Sequence, residues 1–444
     1  MIERVRRQLR GEIARGAIGT FGLKGFQTGV MFLISLSLAR LLGPDGYGAY
    51  SFAMSWVNIL LVPAMLGMQP LLVRNIAAYQ TKQEWGLMRG LLRRTGQWVS
   101  LAALAVTSVA FLMTWLLSGY MEPQMLYAVW VALALVPVLA QQRVRQSIMR
   151  ALRHVVTSQV PEVVIQPLLF GTFLGLGFLA AGHALTAPHV AGLRAGAAVI
   201  ALATILIWCR RVVPRDIRRH APSYRDGPWF RGSLSMLWHN GLAVFIMNIG
   251  TILVGFIAGA EAAGIYSLAN LIANLIAFAM ASIDAPLAPS LSRLYVRDDM
   301  AGMQRLVTKA ARAALLATLG LTAFFAVAGE WALSLIHPRF AAGHETLMIL
   351  CAGKIILSAL GSAGAILVTA GHQRIMAVAT TVSAALTTSL CFLLIPIWGI
   401  NGAAIAMICG PVTARLIMCI RVYRIVGLDP TALGLKPYAA ASPG

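Results

Sequence analysis

The chain has 444 residues, 59% of them hydrophobic and only 11% charged, with a mean hydropathy of +0.77. That is more apolar surface than a soluble core of this length buries, so the composition places the chain in a bilayer and excludes an ordinary soluble enzyme. A formal net charge of +21 does not indicate nucleic acid here, because the basic residues recur in alternate connections instead of gathering in one domain, the pattern of the positive-inside rule.

The N-terminal arm, residues 1–16, sets Arg4, Arg7, Arg10 and Arg15 among Ile2, Val5, Leu9 and Ile13 at helical spacing. This predicts an amphipathic helix lying on an anionic leaflet. The apolar run after it is too long for a signal peptide and lacks a small-x-small cleavage pattern, so it is expected to remain in the mature protein. A membrane crossing needs roughly 20 apolar residues. On that basis the N-terminal half contains spans at 17–41, 48–73, 96–118, 124–142, 155–181 and 190–210. A Pro-rich basic linker, "RRVVPRDIRRHAPSYRDGPWFRG", follows. Further spans are expected at 233–258, 262–289, 308–328, 345–370, 375–396 and 400–422.

These runs predict an all-α polytopic protein with about twelve crossings in two six-helix lobes. The expected divisions are an N-lobe at 17–211, a cytoplasmic linker at 212–232, a C-lobe at 233–424 and a cytoplasmic tail at 425–444. Lys and Arg crowd the arm, the even-numbered connections and the tail, whereas the odd connections are nearly free of them, with Arg339 the main exception. Both termini are therefore expected in the cytoplasm.

The lobes are also related in sequence. An offset of 216 residues, the separation of Gly48 from Gly264, also pairs Gly43 with Gly259, Asp45 with Glu261, Tyr50 with Tyr266, Ser51 with Ser267, Asn58 with Asn274 and Pro70 with Pro286. Six crossings return the chain to its starting side, so this repeat is parallel, with its pseudo-twofold axis along the membrane normal. In the first hairpin, "LGPDGYG", the glycines permit a tight turn and the Asp tolerates it.

Ionisable residues inside spans are functional candidates because each is costly in hydrocarbon. The basic ones are Lys24, Arg194 and Lys354, with Arg40, Arg74 and Arg415 near span ends. Facing protein or water, such side chains attract anions and repel cations, although long basic side chains also snorkel to the headgroups. The acids are Glu162, beside Pro161, and Asp284, near Pro286. Glu162 can pair with Lys24, bind a coupling H⁺ or Na⁺, or form a structural salt bridge. Asp284 is expected to pair with Arg293 or cap a helix. His239, Asn240, Asn248 and Thr251, with Asn240 at the repeat position of Lys24, and Ser267, Asn270 and Asn274, which share one helix face, can hydrogen-bond sugars or join helices. The five cysteines have no metal-type spacing. No Walker-type motif occurs, and the short external loops carry no paired carboxylates, so neither ATP hydrolysis nor glycosyl transfer is expected.

"ARLLGPDGYGAYSFA" followed by "GMQPLLVR", "AGAEAAGIYSLAN" followed by "APLAPSLSRLY", and "WGINGAAIA" resemble the Wzx-type polysaccharide flippases of the multidrug/oligosaccharidyl-lipid/polysaccharide exporter (MOP) superfamily. The resemblance extends to about residue 424. It implies two lobes in a V around a central cavity lined by the first and seventh helices, and alternating access that flips an undecaprenyl-diphosphate-linked oligosaccharide across the bacterial inner membrane. The resemblance thereby singles out Asn240 and Asn248, on the seventh helix, as sugar contacts. A polysaccharide polymerase and a chain-length regulator are the implied protein partners; no cofactor is implied beyond coupling to H⁺ or Na⁺. A multidrug or cation antiporter and a lipid II flippase are the alternatives within the superfamily.

Overall fold

The computed structural model describes residues 2–284 and 287–434, and its regular secondary structure there is helical throughout. Helix is what hydrocarbon imposes, since it pairs every peptide group within its own segment. Nine described helices are long and apolar enough to cross a membrane, and the protein is a multi-pass membrane protein. Two of the nine, within 22–64 and 373–426, run for 43 and 54 residues, each enough for two crossings of roughly 20 residues.

The chain forms two compact units, one of residues 1–42 and 52–244, the other of residues 43–51 and 245–444. The first contains most of α1 (Ile2–Ala64), followed by α2 (Met68–Lys82), α3 (Trp85–Leu116), α4 (Pro123–Leu133), α5 (Leu135–Ala151), α6 (Val155–Val160), α7 (Gln166–Ala181) and α8 (Ala187–Val212). Its core is built on α2 and α5, where Leu71, Leu72, Ile76, Leu135, Val136, Val144 and Ile148 are buried. The arm is helical from Ile2, continuous with α1, but the side chains of residues 2–21 lie outside the described residues. The basic linker does not hang free. Ser223 N–H donates to the Gly86 carbonyl, a Cβ at Gly90 would overlap the Ser223 carbonyl, and Trp229 Nε1 donates to the Tyr79 hydroxyl at 2.9 Å.

The second unit holds the rest of α9 (Asp226–Asp284), then α10 (Leu287–Val296), α11 (Met300–Ile336), α12 (His344–Ala359), α13 (Ala363–Thr369) and α14 (Gln373–Val426). One apolar cluster gathers Leu287, Leu291, Met303, Val307, Ile366 and Val422. Another gathers Ile249, Leu253, Val254, Tyr266, Cys391 and Ile395. The segment after α14 folds back: Gln304 exchanges hydrogen bonds of 2.8 Å with the backbone of Asp429, and Ala432 N–H reaches the Ala359 carbonyl. Residues 435–444, with Lys436, lie outside the described residues, as does Pro286.

The repeat is visible in the backbone. α1 breaks at Gly43 (φ 66°, ψ −178°) and α9 at Gly259 (φ 87°, ψ −179°), positions related by the sequence offset. Only glycine occupies such positive φ without strain. α3 and α11, and likewise α6 and α14, begin within two residues of the same offset. The first turn is tighter than the seven-residue loop expected: Pro44 already starts the next helix, where its missing N–H costs nothing, and Asp45 sits in the first turn, where the helix dipole favours a carboxylate. The two turns meet inside the second unit. A Cβ on Gly48 would overlap the Ala260 carbonyl oxygen, and one on Gly264 the Pro44 carbonyl oxygen. Arg339 closes this contact from outside, its Nη1 lying 3.1 Å from Asp45 Oδ2 and 3.3 Å from Glu261 Oε1. The three side chains are about half exposed, so the cluster adds register more than stability.

Because backbone cannot yield as a side chain tip does, Gly48→Ala and Gly264→Ala are each expected to lower stability by about 1–3 kcal/mol. Gly22→Ala, in open space, serves as the control. Thermal unfolding of the detergent-solubilised protein measures this, and equal melting of all three variants would overturn the close-contact account.

Candidate functional site

Lys354 lies in the third turn of α12, half-buried, and its Nζ donates to Asn274 Oδ1 on α9 at 3.2 Å. Asn274 Nδ2 in turn donates to Asn270 Oδ1 at 3.4 Å, so the polar face read on this helix becomes a chain of hydrogen bonds ending on an ammonium group. These three residues line a cavity of about 230 Å³, otherwise walled by Ile246, Leu350, Met407 and other apolar groups, with no carboxylate in its lining. The sequence pattern favoured helix packing for Asn270 and Asn274. The bond from Lys354 to Asn274 needed the pairing of α9 with α12, which no spacing within one helix reveals.

In the first unit, Glu162 occupies a π-helical turn, Pro161–Ile165, between α6 and α7. Pro161 has no N–H to donate and disfavours a straight α-helix, and such wide turns recur at functional sites. The carboxylate pairs with Arg143, Oε1 to Nε 3.6 Å, and not with Lys24. Lys24 is exposed on α1, and its side chain makes no ion pair among the described residues. Arg194 is half-buried on α8, its guanidinium 5.8 Å from the centre of the Phe170 ring. In the second unit, Asp284 accepts a hydrogen bond from Ser362 Oγ at the break between α12 and α13, instead of pairing with Arg293. Arg415 donates to the Gly361 carbonyl at the same break, 2.8 Å away. Asn248 is half-buried on α9, while the side chains of His239 and Asn240 lie outside the described residues. No cluster of three or more potential metal ligands occurs among the described residues.

Chemically, the Lys354 cavity presents a fixed cation backed by neutral amides in an apolar wall. Anionic oxygens fit it; a lipophilic cation does not. The Glu162–Arg143 pair is different in kind, an acid and a base from two elements of the first unit held within 3.6 Å of each other.

A family model described as "Polysaccharide biosynthesis protein" matches residues 13–295. No curated protein matches the chain. Among solved structures, the chain is similar to an inward-facing multidrug resistance MATE family transporter of the MOP superfamily (13% identity, TM-score 0.69, covering 90% of this chain and 93% of that one). It is as similar to the lipid II flippase MurJ in an inward closed conformation (12% identity, TM-score 0.69, covering 92% and 87%). A third match is a MOP superfamily transporter from Pyrococcus furiosus described by the reverse polarity of its binding pocket (12% identity, TM-score 0.63, covering 92% and 94%). At these identities the likeness shows a shared fold, that of MOP superfamily transporters.

An ammonium group held by one neutral acceptor loses about 1–3 kcal/mol when that acceptor is removed. Asn274→Leu is therefore expected to destabilise the protein by that amount and Asn274→Leu with Lys354→Met to recover most of it. Additive losses in thermal unfolding would show that the two residues do not interact.

Proposed function

The chain belongs to the polysaccharide biosynthesis protein family, and from that premise we propose that it is a flippase moving an undecaprenyl-diphosphate-linked oligosaccharide across the bacterial inner membrane by alternating access. The product would feed O-antigen, capsule or exopolysaccharide assembly. The observation that carries the reading is the Lys354 cavity: cationic, free of carboxylates in its lining and backed by Asn270 and Asn274. A diphosphate brings two or more negative charges that a lysine compensates, and the amides supply hydrogen bonds to phosphate or sugar oxygens. Lys24, Arg194, Asn240 and Asn248 are proposed as further substrate contacts, and both termini as cytoplasmic.

Export of a lipophilic cation is disfavoured by the sign of the same cavity. Lipid II carries the same diphosphate, so the cavity alone does not separate that reading; the family match, to polysaccharide biosynthesis, favours the oligosaccharide. The chain itself is proposed to catalyse no bond chemistry. Its driving force would be an ion gradient, the membrane potential or consumption of the product. H⁺ or Na⁺ would act through Glu162, beside Arg143 in the π turn, or through Asp284 beside the α12–α13 break.

The test is complementation of a flippase-null strain that accumulates lipid-linked repeat units, at matched membrane abundance. Wild type is expected to restore surface glycan, Lys354→Ala and Lys24→Ala to fail, and Glu162→Gln to retain binding while losing turnover. Rescue of a strain depleted of its lipid II flippase, without rescue of surface glycan, would assign the lipid II reading. Full activity of Lys354→Ala would remove the cavity from the mechanism.

A further inference from the structure

A second cavity, of about 950 Å³, opens between the first turns of α3 and the C-terminal part of α5 in the first unit. Arg89, Arg93, Arg94 and Arg145 line it together with Gln97 and Gln141, and no carboxylate does. Arg94 Nη2 lies 3.1 Å from Asp226 Oδ2 and its guanidinium 4.7 Å over the Tyr224 ring, while Arg89 Nη1 donates to the His220 carbonyl at 2.7 Å. Among the described residues, the Nε–H groups of Arg94 and Arg145 are buried without a hydrogen-bond partner, and Arg93 is exposed. Guanidinium groups arranged this way match phosphate oxygens, which accept paired N–H bonds.

What distinguishes a lipid phosphate from a soluble one is the surface that continues from the cavity. From Arg93, the same face of α3 passes through Gln97 to Leu101, Leu104, Leu112 and Trp115 in steps of three, four or eight residues, and these four apolar side chains are 53–66% exposed. Leu101, itself in the cavity lining, lies roughly 12 Å along the helix from Arg93 at 1.5 Å per residue. A basic pocket followed at that distance by an exposed apolar stripe has the dimensions of a headgroup region passing into hydrocarbon.

We propose that this cavity binds the phosphate headgroup of an anionic bilayer phospholipid of the inner leaflet, with its acyl chains along the α3 stripe. The leaflet follows from the orientation given by the arginine bias. The ligand is a constituent of the membrane and not the transported substrate. The site belongs to the first unit, whereas the Lys354 cavity belongs to the second. Arg94 of the lining is itself held by Tyr224 and Asp226 of the linker, so an occupied site would also hold the linker against α3.

The experiment uses the purified full chain in nanodiscs of phosphatidylcholine doped with phosphatidylglycerol, with bound lipid counted by native mass spectrometry. Wild type is expected to retain phosphatidylglycerol in preference to phosphatidylcholine. Arg93→Gln should weaken retention, and Arg93→Gln with Arg145→Gln should weaken it by about tenfold or more. Arg297→Gln, on an exposed turn of the other unit next to Asp298 and Asp299, is expected to behave as wild type. Arg93 is exposed, so its single variant carries the test if the double variant fails to fold, as thermal unfolding would report. Three results overturn the proposal: equal retention by wild type and Arg93→Gln, displacement by soluble glycerol phosphate at matched concentration, which would make this a site for free phosphate, and displacement by a polyprenyl diphosphate ahead of phosphatidylglycerol, which would make it a substrate site.

Discussion

In hydrocarbon an unpaired peptide group costs several kcal/mol, and the rest of this structure follows from how the chain meets that constraint. It remains helical wherever it can and departs from the helix at a few prepared places: glycines at Gly43, Gly259 and Gly399, a proline-led π turn at Pro161–Ile165, and a short break between α12 and α13. Both spanning carboxylates singled out by the sequence sit at such departures, Glu162 in the π turn and Asp284 opposite Ser362 at the helix break. Freed backbone groups, space and a polar side chain occur together, because a carboxylate away from such a place would find no partner in an apolar segment.

The same constraint explains the contact between the repeated turns. Two helix starts that approach backbone to backbone need residues without side chains, which is why Gly48 and Gly264 occupy equivalent positions and each faces a carbonyl of the other turn. Asp45 and Glu261, also equivalent, then lie close enough to share Arg339. The basic residue that interrupts an otherwise neutral set of connections thus answers two acids brought together by the repeat. A departure from the charge pattern is here the trace of a specific ion pair.

Much of the fold was legible in the sequence because its signals are local: apolar run length, basic connections, and glycines at a fixed offset. The repeat appeared first as Gly43 and Gly259 in the sequence and again as two matching backbone breaks. The chain did not announce how short the breaks are, since one glycine suffices where a seven-residue loop was read, or that the basic linker packs on α3 through Gly86 and Gly90. Partners across helices were also illegible. Glu162 meets Arg143, Asp284 meets Ser362 and Lys354 meets Asn274, and each pairing is decided by helix contacts that no periodicity within one segment encodes.

These pairings have a consequence for the balance of charge. Glu162 of the first unit is already answered by a guanidinium, whereas the lysine in the Lys354 cavity has a neutral amide for its hydrogen-bond acceptor. Neutral partners orient an ammonium group without cancelling its charge, so the positive potential remains available to an incoming anion. A protein selecting cations would need the reverse, with the acid free and the base paired. Selectivity can therefore be set less by how many charges a span carries than by which of them the fold has already neutralised. In this chain what the fold leaves in that cavity is positive.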